Sequence, residues 1–342
     1  MSTPGKQHNL EIDASKGLFV VTMVLAHVIV LLSDQATRIF TAELKMAATL
    51  ASFSGFLFCF GFATWHAYFS QAPSLKRVLP SAIRPWIAYY ISSIFYLLFV
   101  ERLYGIKDFA DVLLLTRLVP FAEFLLAFSL TLLAGFLFHK PIGFLLERPR
   151  LFFAVVGALA LTALIPNGWV RWPMLGMFIG APERVASTFP IVQYFPIYLM
   201  GIYFARYDIK PNLWIGLAGM AAYYVYRSLG GDITRFPPSL GWIAGSFFFA
   251  LTGYVLARFL SRWTPARRAL VRLGVNALFC ILTSNILLFA FRGAAPRLAG
   301  EMNLRSTLGV TVAILAILYF MVQSVRRIDA DPAPAITPSK SA

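Results

Sequence analysis

Two ionisable side chains, Lys16 and His27, stand eleven residues apart in the apolar run EIDASKGLFVVTMVLAHVIVLL, residues 11–32. An α-helix turns 100° per residue, so the two share one face about three turns apart, roughly 16 Å along the axis. Asp13, Val20 and Val24 fall on the same stripe. Across a bilayer, that face carries a cation at one mouth and an imidazole near mid-membrane. Ionisable groups at such depth are costly and tend to mark pathways or sites, and an imidazole suits proton transfer near neutral pH. The alternative is a hydrogen-bonded packing histidine above a lysine that anchors its helix by snorkelling. Asp13 either orients Lys16 as an i,i+3 pair or favours the helix start through its dipole. Glu123 is a carboxylate in another apolar stretch, FAEFLLAFSL, and at that depth requires a partner or a proton. It could pair with Arg117, line a cavity or support His27. His8, His66 and His139 have no ligand spacing with His27, so no metal site is expected.

The elements that position these groups follow from composition. Hydrophobic residues make up 59% of the 342 and charged residues 13%, with a mean hydropathy of +0.72. Such a chain is a polytopic membrane protein and not a soluble globule. The net charge of +15 is spread over thirty Lys and Arg that lie singly or in small groups between apolar runs. That is the pattern of basic membrane loops, not of a nucleic-acid partner. Cys59 and Cys280 both sit in apolar runs and imply neither a disulfide framework nor a Cys-based metal site.

A span needs about 20 apolar residues. The expected fold is an all-α bundle of about ten transmembrane helices over 17–32, 47–70, 85–100, 118–138, 151–165, 189–205, 213–228, 240–260, 274–291 and 307–323. The first is expected as a retained helix, since no small-residue cleavage site follows it. An even number of spans puts both termini on one face, and that face holds the larger share of the cations, which predicts cytoplasmic termini. Residues 1–328 form one integral-membrane domain, and the Pro- and Ala-rich tail 329–342 is expected to be disordered and cytoplasmic. Trp169, Trp172, Tyr194 and Tyr198 are candidates for an interfacial aromatic belt or a sugar-stacking platform.

The run IDASKGLFVVTMVLAH resembles the first transmembrane helix of the acyltransferase 3 family, membrane O-acyltransferases that modify bacterial glycans and other acceptors. Asp13, Lys16, Gly17 and His27 carry the likeness, with Lys16 where Arg is commoner. Weaker likenesses follow in ASFSGFLFCFGFATW around Gly61, LKRVLPSAIRPWIAYY with Arg77 and Arg84, FPIVQYFPIYLMGIYFAR and RLGVNALFCILTSNILL. The chain departs from the pattern where relatives carry a late aromatic and His, here Ile281 and Ser284, and where a Trp-Phe-Leu stretch is Glu123-Phe124-Leu125.

The resemblance implies a bacterial inner-membrane enzyme that moves an acyl group, acetyl by expectation, from acetyl-CoA or another acyl-CoA to a saccharide or glycolipid hydroxyl. His27 would be the general base and Glu123 a second catalytic candidate. Lys16, Arg77 and Arg84 would hold the phosphates of the donor, whose pantetheine arm would reach up towards His27. Two other readings stay open. One is a transporter or flippase with a proton path through Lys16, His27 and Glu123. The other is an inactive relative without the late histidine.

Overall fold

The computed structural model describes residues 9–33, 39–70, 73–182, 185, 188–298 and 300–325. Fourteen α-helices follow in order among them: α1 Leu10–Leu32, α2 Ile39–Thr64, α3 Leu75–Tyr96, α4 Ile106–Leu113, α5 Glu123–Leu137, α6 His139–Leu146, α7 Pro149–Leu161, α8 Pro173–Ile179, α9 Ile191–Arg206, α10 Leu213–Ser228, α11 Leu240–Leu260, α12 Thr264–Val275, α13 Ala277–Ala294 and α14 Leu304–Val325. No named strand occurs among the described residues. The tail 329–342 lies outside them.

Six helices are long and apolar enough to cross a membrane: α1, α11, α13, α14, and α2 and α3 with their π-helical extensions to Phe69 and Glu101. The pair α5 and α6, bent by 71°, is a candidate seventh. Their outer faces are apolar, with Leu79, Ile83 and Ile87 exposed on α3 and Val312, Ile317 and Phe320 on α14. Such faces suit lipid, where each helix satisfies its own backbone. The chain is an all-α integral membrane protein.

All ten expected segments contain helix; α10 and α11 have the expected ends, and the other eight shift at one end or both. Helix α3 starts at Leu75, not Pro85, and runs through both Pro80 and Pro85. Helix α5 starts only at Glu123, because residues 114–122 form a turn in which Leu115 and Phe121 adopt left-handed backbone, φ 57° and 67°. Glu123 is therefore at a helix start and not deep inside a span. The segment expected from Gly274 to Phe291 is broken at Asn276 between α12 and α13.

Helix α1 is the axis of the bundle. Asn9 caps it, its side-chain oxygen accepting from the backbone N–H groups of Glu11 and Ile12. It packs against α2, α11, α12, α13 and α14. At the α1–α12 crossing a Cβ on Gly17 would lie 1.9 Å from the Leu270 carbonyl oxygen, and one on Gly274 1.7 Å from that of Asp13. Helices α2 and α9 cross in the same reciprocal way, Gly61 against the Tyr198 carbonyl at 2.0 Å and Gly201 against that of Phe58 at 2.1 Å. Hydrogen side chains at these four positions let backbones touch, which is how helices gain packing energy in lipid. At its far end α1 is tied to α13 by Arg292, whose Nη1 donates to the Leu31 carbonyl at 3.2 Å. That tie sits one turn beyond His27.

Candidate active site

His27 of α1 faces a cavity of about 230 Å³ whose wall also includes Glu123, Arg235, Thr49 and Ser52 among aromatic rings. His27 lies five residues from the end of α1, about 7.5 Å along its axis, so the cavity belongs to the half of the bundle away from Asn9.

A chain of hydrogen bonds sets the imidazole. His27 Nδ1 is 2.9 Å from Asn285 Oδ1, on α13. The Asn285 amide nitrogen donates to the Phe121 carbonyl at 2.9 Å and to Ser92 Oγ, on α3, at 3.1 Å. A carbonyl can only accept, so the amide N–H group must point at Phe121 and the amide oxygen at His27. Nδ1 of the ring therefore carries the proton, and in the neutral imidazole Nε2 keeps its lone pair. The left-handed backbone of Phe121, a conformation that costs a non-glycine residue about 1–3 kcal/mol, belongs to the residue whose carbonyl fixes Asn285. Its ring also meets the His27 ring edge-on at 5.1 Å.

Replacing Asn285 by Leu strands His27 Nδ1 and the Phe121 carbonyl together. A buried polar group without its partner costs about 1–3 kcal/mol, so the apparent unfolding midpoint of the purified protein should fall by several degrees. A midpoint equal to wild type would show that this network does not hold the helices.

Glu123 is 3% exposed, and its Oε2 has no hydrogen-bond partner. Arg117, considered as its partner, instead pairs with Glu101 and, at 3.4 Å, with Asp108. Arg235 reaches the cavity from the segment between α10 and α11, its guanidinium over the rings of Phe236 at 4.5 Å and Phe189 at 5.2 Å. Its charge is close enough to act on both His27 and Glu123.

The structure thus brings His27 and Glu123 to one cavity and leaves the expected phosphate-binding cations outside its wall. Lys16 pairs with Asp13 at 2.5 Å, one of the two roles left open to Asp13 by its position, beside the α1–α12 crossing. Val20 and Val24, the residues between Lys16 and His27 on that stripe, are buried in the core. The stripe that joins Lys16 to His27 along α1 is therefore packed against neighbouring helices. Arg77 and Arg84 are exposed on α3, which packs against α5 and α13. Tyr194 and Tyr198 are buried, so they do not belong to an interfacial belt, whereas Trp169 and Trp172 are exposed. Among the described residues no three His, Cys, Asp or Glu side chains converge on a metal-sized site.

Asn285 and Arg235 were not singled out from the sequence. An amide in the apolar run CILTSNILL was a usable signal for Asn285. Arg235 carried none, since it looks like one more loop cation.

Fold and site together define a class: an integral membrane protein of helices around a cavity whose wall joins an oriented histidine, a carboxylate and a guanidinium. Comparison with family models, with curated proteins and with solved structures gives no match to the chain.

Proposed function

We propose that the chain is a membrane O-acyltransferase that moves an acyl group, acetyl by expectation, from acyl-CoA to a hydroxyl of a cell-envelope or exported saccharide. The observation that carries the reading is the Asn285–His27 pair, which leaves Nε2 as a proton acceptor on the cavity. An alcohol is a poor nucleophile at neutral pH and needs such a base as it attacks a thioester. The acceptor O–H gives its proton to Nε2 while its oxygen bonds to the thioester carbonyl carbon. The C–S bond then breaks, and the imidazolium returns the proton to the departing thiolate. Arg235, on the same cavity wall, would place positive charge towards the oxyanion that forms between these steps.

In this reading all ten apolar segments cross a bacterial inner membrane with both termini in the cytoplasm. The donor enters from that side, its phosphates met by Lys16, with Arg77 and Arg84 at the bundle surface. The pantetheine arm reaches His27 only when the packing at Val20 and Val24 opens. Donor binding is therefore coupled to a change in the core around α1.

That same closure favours a second reading, a carrier in which a cavity open to one face at a time holds a proton on His27 or Glu123. Ligand-induced stabilisation separates the two, because a molecule that binds only the folded state raises its apparent stability without any knowledge of the acceptor. Acetyl-CoA should raise the unfolding midpoint of the purified protein saturably, and Lys16→Ala should shift that response to higher concentration. No rise in folded wild type would favour the carrier.

A further inference from the structure

Where α11 ends and α12 begins, from Arg258 to Arg272, the chain reads RFLSRWTPARRALVR: five arginines, no lysine and no acid. No Asp or Glu occurs anywhere from residue 233 to 300. Helix α12 packs against α1, α11, α13 and α14, and the described acids on those elements are Glu11 and Asp13, both on α1. Each already has a cation. Glu11 pairs with Arg258 Nε at 3.2 Å and accepts from Tyr254 Oη at 3.1 Å, and Asp13 pairs with Lys16. Arg272 donates to Tyr319 Oη at 2.6 Å. Among the described residues the turn thus keeps a surplus of positive charge.

The same turn is amphipathic. Backbone bonds from Arg262 N to the Phe259 carbonyl, Trp263 N to that of Leu260 and Arg267 N to that of Trp263 wind it tightly. Leu256, Phe259 and Trp263 are exposed, while Leu270 and Val271 are buried with Ala14 of α1. Arg262 is exposed, its guanidinium 5.5 Å from the centre of the Phe259 ring, and Arg267 is half-buried. Helix α11 is one of the six candidate spans, and this end of it lies beside the capped start of α1, where Arg258 meets Glu11. Leucine and phenylalanine, then tryptophan, then arginine is the order that matches acyl chain, glycerol and phosphate of a lipid across the membrane boundary. Guanidinium forks also fit phosphate oxygens better than a lysine point charge does. A soluble anion or a nucleic acid would meet the arginines but gain nothing from Leu256 and Phe259.

We infer that the turn between α11 and α12 binds an anionic phospholipid: Arg262 and Arg267 hold the headgroup phosphate, Trp263 sits at the glycerol, and an acyl chain lies on Leu256 and Phe259. Lipid bound there braces α12 against α1. The site serves equally a chain that transfers acyl groups and one that carries a substrate.

Native mass spectrometry of the delipidated full-length protein, in a detergent of neutral headgroup, tests the site. Dioleoyl phosphatidylglycerol and dioleoyl phosphatidylcholine are titrated separately. Wild type should bind at least one phosphatidylglycerol about fivefold or more tightly than phosphatidylcholine. Arg262→Gln with Arg267→Gln should remove that preference and leave phosphatidylcholine binding unchanged. Arg148→Gln with Arg150→Gln, which takes the same charge from the start of α7, should keep it. Equal loss in the two double variants would reduce the effect to net charge, and equal affinity for the two lipids would remove the headgroup from recognition. Displacement of the lipid by inorganic phosphate or by acetyl-CoA would make the turn a site for soluble anions. Each of these results overturns the inference. Arg262→Gln alone, at an exposed side chain, makes the same comparison if the double variant does not fold.

Discussion

Glutamine in place of His27 should lower acyl transfer by about 10²- to 10⁴-fold, the range that a positioned general base supplies. Glutamine can still donate to Asn285 Oδ1 through its amide, so the link from α1 to α13 has a substitute, but it cannot take a proton from an alcohol. The loss should therefore fall on the rate of thiol release from acetyl-CoA in the presence of acceptor, followed with a thiol reagent. The stabilisation by acetyl-CoA should persist. A variant that releases thiol at the wild-type rate would remove His27 from the chemistry. A variant that has lost both thiol release and acetyl-CoA binding would assign His27 to the fold.

The second large effect is structural. Valine at Gly274 would drive a Cβ to within 1.7 Å of the Asp13 carbonyl oxygen, and the contact is backbone, which cannot rotate away. Overpacking of this kind costs about 1–3 kcal/mol where side chains can adjust, and here the helices themselves must part. The expected outcome is a loss of about 3 kcal/mol or more, read as a much lower unfolding midpoint or as material that elutes aggregated. Gly309→Val on α14 is the matched control, because nothing lies within 4 Å of a Cβ there. It should unfold as wild type does, and an equal loss in both variants would mean that the crossing is not what Gly274 protects.

Those glycines also mark what the sequence made legible. Gly17 and Gly274 are the glycines at which α1 and α12 approach backbone to backbone, and Gly61 and Gly201 do the same for α2 and α9. A glycine at a backbone crossing has no local signature beyond being a glycine, so its purpose emerged only with its partner helix. Helical periodicity placed Lys16 beside Asp13 and put His27 well above them, since those relations lie within one helix. Periodicity could not reveal that Val20 and Val24 are buried, because packing depends on the neighbours of α1.

The same limit explains the misplaced Glu123. An apolar stretch from Leu118 reads as continuous helix, yet non-glycine residues Leu115 and Phe121 take left-handed backbone and delay the helix to Glu123. That delay is what turns the Phe121 carbonyl to Asn285. His27 and Asn285 are 258 residues apart, and no motif or spacing spans such a distance in a single sequence. The helix expected from residue 85 begins ten residues earlier, at Leu75, and runs through Pro80 and Pro85. Proline favours a helix start in water, but a helix in a bundle tolerates it where neighbouring groups satisfy the freed carbonyl.

The most direct measurement of the central claim is transfer of label in membrane vesicles that contain the protein, using acetyl-CoA labelled in its acetyl group. O-acyl esters are alkali-labile, so the product can be counted without knowing which sugar received it. Wild-type vesicles should accumulate alkali-labile label in the saccharide or glycolipid fraction, and vesicles with His27→Gln should not. Equal label in both, or none in wild-type vesicles whose protein is folded and exposed to native acceptor, would contradict the account.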